Sequence, residues 1–350
     1  MNKVQEPTVG KTLTVEPTVR KTLTVATSRI HWQLLMGLVA GIVVMSMVVP
    51  SRAQLHHVPP AAPTFTVLYS FAGPTDGAFP VAGLVRDAAG NLYGTTAGGG
   101  ASSGCSFGSC GVVFKLAPAG SETVLHSFTG GADGGTPSGA GLVRDAAGNL
   151  YGTTTSGGTG CNGIGCGVVF KLSPTRIETV LYSFTGGPDG QDPYGGLTTD
   201  AAGNLYGTAV FGGSTTGTCH PFGRCGVVFE LIRCDSEPSG YEFKVLYTFT
   251  GGTDGRTPYG GLVLDAAGNL YGTTFEGGSF KVCSDGCGTV FKLSPNGTET
   301  VLHSFTGGDG ALPTAGLILD PAGNLYGTTF WGGGRSDACR FCGVVFRLAP

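Results

Sequence analysis

The stretch GLVLDAAGNLYGTT at residues 261–274 decides the fold. Gly261–Asp265 is a short aliphatic run, and Ala266-Ala267-Gly268 places a glycine where a tight turn needs a positive φ. Asn269–Thr274 then resumes an apolar and aromatic run, so the whole reads as a β-hairpin. Further on, GTVFKL (288–293) and TVLHSF (300–305) flank SPNGTE (294–299), a second hairpin turn rich in Pro, Asn and Gly. The unit therefore predicts four short antiparallel strands, with one long, Gly-rich, Cys-containing loop between the second and third. No helical periodicity occurs after Pro60.

The unit recurs. The Asp of DAAGNLYGT, or DPAGNLYGT in the last copy, falls at Asp87, Asp145, Asp200, Asp265 and Asp320, at intervals of 58, 55, 65 and 55 residues. The long interval carries an insertion from Cys234 to Glu242. The GVVFKL-like run starts at Gly111, Gly167, Gly226, Gly288 and Gly343. Five four-stranded antiparallel units at this period describe an all-β, five-bladed β-propeller. The ends point to closure. The first β run, Thr66–Phe71, is of the fourth-strand type, and the last, Val344–Leu348, is of the third. The N-terminal strand is thus expected to complete the last blade; an open β-solenoid or part of a larger propeller is the alternative.

These residues resemble the GloVer tandem-repeat family of bacterial exported proteins, whose repeat reads GLxxDxxGNLYGTT followed by a Gly-rich stretch and GxVFKL. All five copies from about Pro63 to Pro350 carry the pattern. The resemblance implies no known activity and brings no catalytic residue to transfer.

Composition narrows the class. Charged residues are 12% of the chain, about half the usual share, and 64 of 350 residues are glycine. The strict period makes this a turn-rich β protein rather than a disordered one. Six of the 20 Lys and Arg and two of the 23 Asp and Glu precede Gln54, which leaves 14 against 21 in the rest. That negative balance, without a basic cluster, excludes a nucleic-acid partner.

Residues 1–53 read as a targeting segment. Lys3, Lys11, Arg20, Lys21 and Arg29 lead into the apolar stretch Trp32–Val49, and Ser51-Arg52-Ala53 supplies small residues at a cleavage site. The stretch is long enough either for a cleaved signal peptide or for a retained signal-anchor, which would be the only membrane association. Both put the repeats outside the cytoplasm: secreted, periplasmic or at the cell surface. Residues 54–63 form a Pro-rich linker, and 64–350 hold the repeats.

Five cysteine pairs precede the third strands: Cys105/Cys110, Cys161/Cys166, Cys219/Cys225, Cys283/Cys287 and Cys339/Cys342. Recurrent local pairs in an exported protein read as disulfides, with Cys234 left over. Zinc would want four ligands where each pair supplies two, so no metal and no cofactor is expected.

Chemistry belongs on the end of the blades that carries the long loops. There FTGGxDG repeats Asp76, Asp133, Asp189, Asp254 and Asp309, either as a carboxylate ring for a ligand or as residues closing their own turns. The position after a recurrent Pro is Val81, Ser138, Tyr194, Tyr259 or Thr314. Tyr194 and Tyr259 offer an aromatic platform that Phe211, Phe275 and Trp331 could extend toward a sugar; packing between blades is the competing reading. Tyr93, Tyr151, Tyr206, Tyr271 and Tyr326 are core, and His126 and His303 interchange with Tyr69, Tyr182 and Tyr247 on an outer strand. The Gly100–Gly104 and Gly158–Gly163 matches to nucleophile-elbow and dinucleotide patterns lack the helix both require.

The leading expectation is a non-enzymatic binding or surface-interaction module with a carbohydrate or protein partner. A propeller hydrolase or lyase acting on sugars or lactones, and a structural envelope protein without ligand, are the alternatives.

Overall fold

In the computed structural model, the described residues are 64–349 without 103, 106–109, 138, 140, 162–164, 214–218, 220–224 and 334–341. The targeting segment, the linker, Ser138 and Cys339 lie outside them. Five antiparallel sheets follow one another along the chain, four of four strands and the last of three, each with its strands in sequence order.

Sheet 2 shows how the sequence builds each one. Its strands are Val143–Arg144, Leu150–Thr154, Val168–Leu172 and Glu178–Ser183. Every residue of Leu150–Thr154 is buried, and Val168, Val169 and Phe170 are fully so. Middle strands covered on both faces explain why LYGTT and VVFKL are apolar on both faces instead of alternating.

Gly152 pairs directly with Phe170, and a Cβ on Gly152 would lie 2.7 Å from the Phe170 ring. The glycine of NLYG is therefore the gap through which the third-strand Phe crosses its neighbour. Gly94 with Phe114, Gly207 with Phe229, Gly272 with Phe291 and Gly327 with Phe346 repeat the arrangement.

The hairpin of DAAGN is held the same way each time. Asp145 accepts from the Asn149 backbone N–H at 2.8 Å, from Asn149 Nδ2 at 2.7 Å and from the Tyr151 hydroxyl at 3.0 Å. The recurrent Tyr is thus core residue and turn clamp together.

Sheet joins sheet through the fourth-strand Phe, set edge-on to the third-strand Phe of the next sheet. Phe128 meets Phe170 at 5.2 Å, Phe184 meets Phe229 at 5.3 Å, and Phe249 meets Phe291 and Phe305 meets Phe346 at 5.2 Å. Phe71 of the N-terminal run meets Phe114 at 5.0 Å, so this run occupies a fourth-strand place against sheet 1.

The expected pairing of that run with the last sheet is not formed. Residues 64–72 carry no strand, and sheet 5 ends at Val345–Leu348. Val345 is 82% exposed where Val113, Val169, Val228 and Val290 are at 0%. At the other end Leu84 is 54% exposed, while Leu142, Leu197, Leu262 and Leu317 are buried. The physical difference is sequence separation: every formed strand pair joins near neighbours, whereas this one joins the two ends of the repeat array at the largest loop-closure cost.

Candidate functional site

The connections from fourth to first strands and from second to third strands emerge at one end of the sheets, opposite the tight turns. A backbone feature repeats there. Phe79, Thr136, Asp192, Thr257 and Leu312, each just before its Pro, hold φ between 53° and 59°. Left-handed non-glycine residues cost about 1–3 kcal/mol each and persist only where the surroundings impose them. The N–H groups of Thr136, Asp192, Thr257 and Leu312 donate to the carbonyls of Cys110, Cys166, Cys225 and Cys287 at 2.8–3.0 Å.

Those carbonyls are fixed by disulfides. Cys105–Cys110, Cys161–Cys166, Cys219–Cys225 and Cys283–Cys287 are bonded as the spacing predicts. Cys342 is also disulfide-bonded, with its expected partner Cys339 outside the described residues, and Cys234 is free. Loops this short give about 2 kcal/mol per bond by chain entropy. Their second effect is positional: each pins the strained entry to the next sheet, and with it the residue that follows the Pro.

The five FTGGxDG aspartates close their own turns. Asp189 accepts from the Thr185 backbone N–H at 2.7 Å, from Thr185 Oγ1 at 2.5 Å and from the Tyr182 hydroxyl at 2.9 Å. Asp76 and Asp254 accept from Tyr69 at 2.8 Å and Tyr247 at 3.1 Å, and Asp309 pairs with His303 Nε2 at 2.9 Å. Asp133 lies 3.3 Å from His126 Nε2. This explains the Tyr/His interchange: either side chain places a polar atom on the same carboxylate. Backbone donation from Ala72 holds the Asp76 carboxyl below the usual range. No group of three or more His, Cys, Asp or Glu that could hold a metal occurs among the described residues.

The aromatic candidates divide. Tyr194 and Tyr259 meet edge-on at 5.5 Å, and Tyr259 meets Phe275 at 5.3 Å, giving a half-exposed row across sheets 3 and 4. Phe211 and Trp331 sit one place later in the repeat, bridging Gln191 and Ala311. Trp331 is 48% exposed and lines a cavity of about 540 Å³ together with Phe275.

Three features escaped sequence reasoning. Arg256, 14% exposed, joins Glu276 at 2.9 Å and Asp285 at 2.7 Å. These bridge positions are occupied by Ala78 and Gly98, Gly135 and Ser156, Gln191 and Phe211, and Ala311 and Trp331 in the other units. Aligning the repeats would have shown the opposite charges as a departure confined to one copy. Second, burial pushes the carboxyl of Asp192 up to about 6 against a hydrogen bond from Gln191. Third, burial and then Asp133 raise Glu178 to about 7, and burial and then Asp254 do the same for Glu299.

A family profile described as the Gloeobacter/Verrucomicrobia repeat matches residues 50–220 and 164–350. Comparison with curated proteins finds no match. Among solved structures, a gluconolactonase from Xanthomonas campestris is similar at 16% identity and a TM-score of 0.42, over 74% of this chain and 72% of that one. A luciferin-regenerating enzyme is similar at 16% identity and a TM-score of 0.42, over 78% and 92%. At these values neither likeness bears on what the present chain does.

Proposed function

The chain belongs to the Gloeobacter/Verrucomicrobia repeat family, and from that premise we propose that it is an exported, non-enzymatic binding module whose long-loop end takes a carbohydrate or protein ligand. One observation carries the reading. The repeats share one frame, while the residue after each strained turn differs from copy to copy, and half-exposed Tyr194 and Tyr259 at two of these positions form one row with Phe275, which follows a second strand. A frame that is strained and cross-linked at that end, and carries varied side chains there, is what a preorganised binding surface requires. The disulfides support an oxidising compartment.

The test is a thermal-shift screen of the oxidised protein against Ca²⁺, EDTA, oligosaccharides and envelope polymers. A ligand at a hundred times its Kd should add about 2.7 kcal/mol, and Tyr194→Ala with Tyr259→Ala should abolish that gain. If no ligand moves the melt, the small-ligand form of the reading fails.

The same proposal includes a closed five-bladed ring. In these junctions the fourth-strand residue opposite the third-strand Leu covers the Tyr/His–Asp pair of the preceding sheet. Glu122 faces Tyr69 and Asp76, Glu178 faces Asp133, and Glu299 faces Tyr247 and Asp254. Phe243 instead stacks on Tyr182 at 3.7 Å and 7°. The pair without a cover is His303–Asp309, with side chains 38% and 40% exposed against 19% and 16% for His126 and Asp133. The register that sets Leu231 opposite Phe243 would set Leu348 opposite Phe65, now 92% exposed. Closure thus supplies an aromatic cover where one is missing.

Lys171 pairs with Thr179, and the equivalent pair at the seam is Arg347 with Thr66. A Thr66→Cys, Arg347→Cys variant is expected to cross-link within one chain, seen as a monomer of increased mobility in non-reducing electrophoresis. A cross-linked dimer would mean that copies exchange the strand, and an uncross-linked chain would mean an open array.

A further inference from the structure

The cavity of about 540 Å³ lies where the long loop of sheet 4 meets the entry and second-strand loop of sheet 5, and falls within the size range of small-molecule sites. Its walls mix two chemistries. Phe275, Val282, Leu312 and Trp331 supply apolar and π surface, while Glu276 and Asp285 supply carboxylates. Arg256 donates its Nε–H to Glu276 Oε2 and an Nη2–H to Asp285 Oδ1, so one guanidinium holds both acids in place.

Exposure is graded along this chain of charges. Arg256 is 14% exposed, Glu276 25% and Asp285 63%. The cation is therefore innermost and engaged by both acids, and what reaches the mouth of the cavity is carboxylate. Among the described residues, two carboxylates against one guanidinium leave a net negative lining beside two aromatic rings. A neutral sugar would satisfy the rings alone, and a small bare amine would satisfy the charge alone. A pyranose ring that carries a protonated amine satisfies both: its apolar face lies against the rings, and its ammonium offsets the excess charge and is attracted to the π faces.

We propose that this cavity binds a glycan bearing free amino groups, with the sugar ring between Phe275 and Trp331 and the ammonium at Glu276 and Asp285. The proposal rests on the binding-module reading and names its ligand. Arg256 acts as the positioning residue that fixes the two carboxylates before the ligand arrives, which lowers the ordering cost of binding.

Calorimetric titration of the full oxidised chain with a glucosamine trimer, its N-acetylated counterpart and putrescine tests it, at mildly acidic pH where the amines are charged. The free-amine trimer is expected to bind roughly tenfold more tightly than either comparison compound. Asp285→Asn, at an exposed rim position, should remove most of the preference over the N-acetylated trimer. Trp331→Ala should weaken both sugars, and added salt should narrow the gap. Equal affinity for the two trimers, or putrescine binding as tightly as the sugar, overturns the assignment. Free-amine binding that survives Asp285→Asn and Trp331→Ala but is lost in Tyr194→Ala with Tyr259→Ala places the ligand on the aromatic row. That result overturns this inference while leaving the binding-module reading intact. If no trimer binds and another compound in the screen stabilises the protein, the inference fails alone; if nothing binds, the inference fails together with the small-ligand form of the binding-module reading.

Discussion

Phe170→Ala is expected to lower the unfolding free energy by about 3–5 kcal/mol, measured by guanidinium denaturation of the oxidised protein. The ring is 0% exposed and lies at the contact of two sheets: over Gly152 within its own, and edge-on to Phe128 of the one before. Truncation removes the transfer energy of a full aromatic side chain and leaves a cavity. That cavity cannot collapse, because Gly152 has no side chain to move into it and Phe128 is itself fully buried. Gly152→Ala in the wild-type background should also destabilise, its Cβ meeting the ring at 2.7 Å. In the Phe170→Ala background the same change fills part of the hole, so the double variant should be more stable than the sum of the singles predicts. Phe346 is the internal control. It holds the same place in sheet 5, is only partly buried, and lacks a fourth strand beside it. Phe346→Ala should cost clearly less than Phe170→Ala if the array is open, and about as much if the ring closes in solution.

The contrast between those two phenylalanines also marks what the residues of this chain could disclose. The strands, tight turns and cysteine clips that repeat were legible, because five copies of one signal separate frame from accident. The hairpin at Asp145–Tyr151, the Cys161–Cys166 clip and the turn closed by Asp189 each follow from local chemistry that recurs unit by unit. The choice between a carboxylate ring and turn-closing aspartates was open in the sequence, and the hydrogen bonds at Asp189 and Asp309 fill in the second. What was not legible depends on side chains that meet only across a junction. Glu178 and Phe243 look unrelated in sequence, yet both stand where a fourth strand covers the pair of the preceding sheet. Phe275 was grouped with Phe211 and Trp331, and the backbone bonds place it one residue earlier, on Thr257 O rather than opposite a bridge partner. The Arg256–Glu276–Asp285 chain was missed because it occurs once, so it stands out only as a departure from the other copies and not as a recurring motif. Seam pairing was inferred from the two terminal strand types, and strand type says which partner fits without supplying the free energy that joins the ends.

Stability should peak at mildly acidic pH and fall by about 2–3 kcal/mol on going to pH 8, read as melting temperature against pH at fixed salt. Three part-buried carboxyls set most of the neutral limb, and Glu122, raised by burial and then by Asp76, adds to it. Burial raises Glu178 and Glu299 to about 7, with Asp133 and Asp254 as the secondary causes, and raises Asp192 to about 6. A folded pKa above the unfolded one means that the folded chain keeps its proton longer. Stability is then whole below the unfolded values, near pH 4, declines as pH rises through about 6–7, and stays at the lower level beyond. Each group is only partly buried, so solvent screening reduces its share to about 1 kcal/mol. The acid limb has the opposite sign. Hydrogen bonds from Asn91 hold Asp87 down at about 2, and Asp145, Asp200, Asp265 and Asp320 are lowered by the same turn despite burial. Their stabilisation is present above about pH 4 and is lost as pH falls through the folded values. His126 works against the neutral limb. Burial, its largest influence, lowers its pKa against Asp133, so its contribution grows as pH rises toward the ordinary imidazole value and is complete above it. One histidine opposes four raised carboxyls, and the fall should survive. Glu178→Gln with Glu299→Gln keeps the shape of both junctions and removes two of the titrating groups, so it should flatten the neutral limb and leave the acid limb unchanged. A wild-type melting temperature that climbs steadily from pH 5 to 8 would show instead that these carboxylates ionise at no cost, and that the covers over Asp133 and Asp254 are open to water.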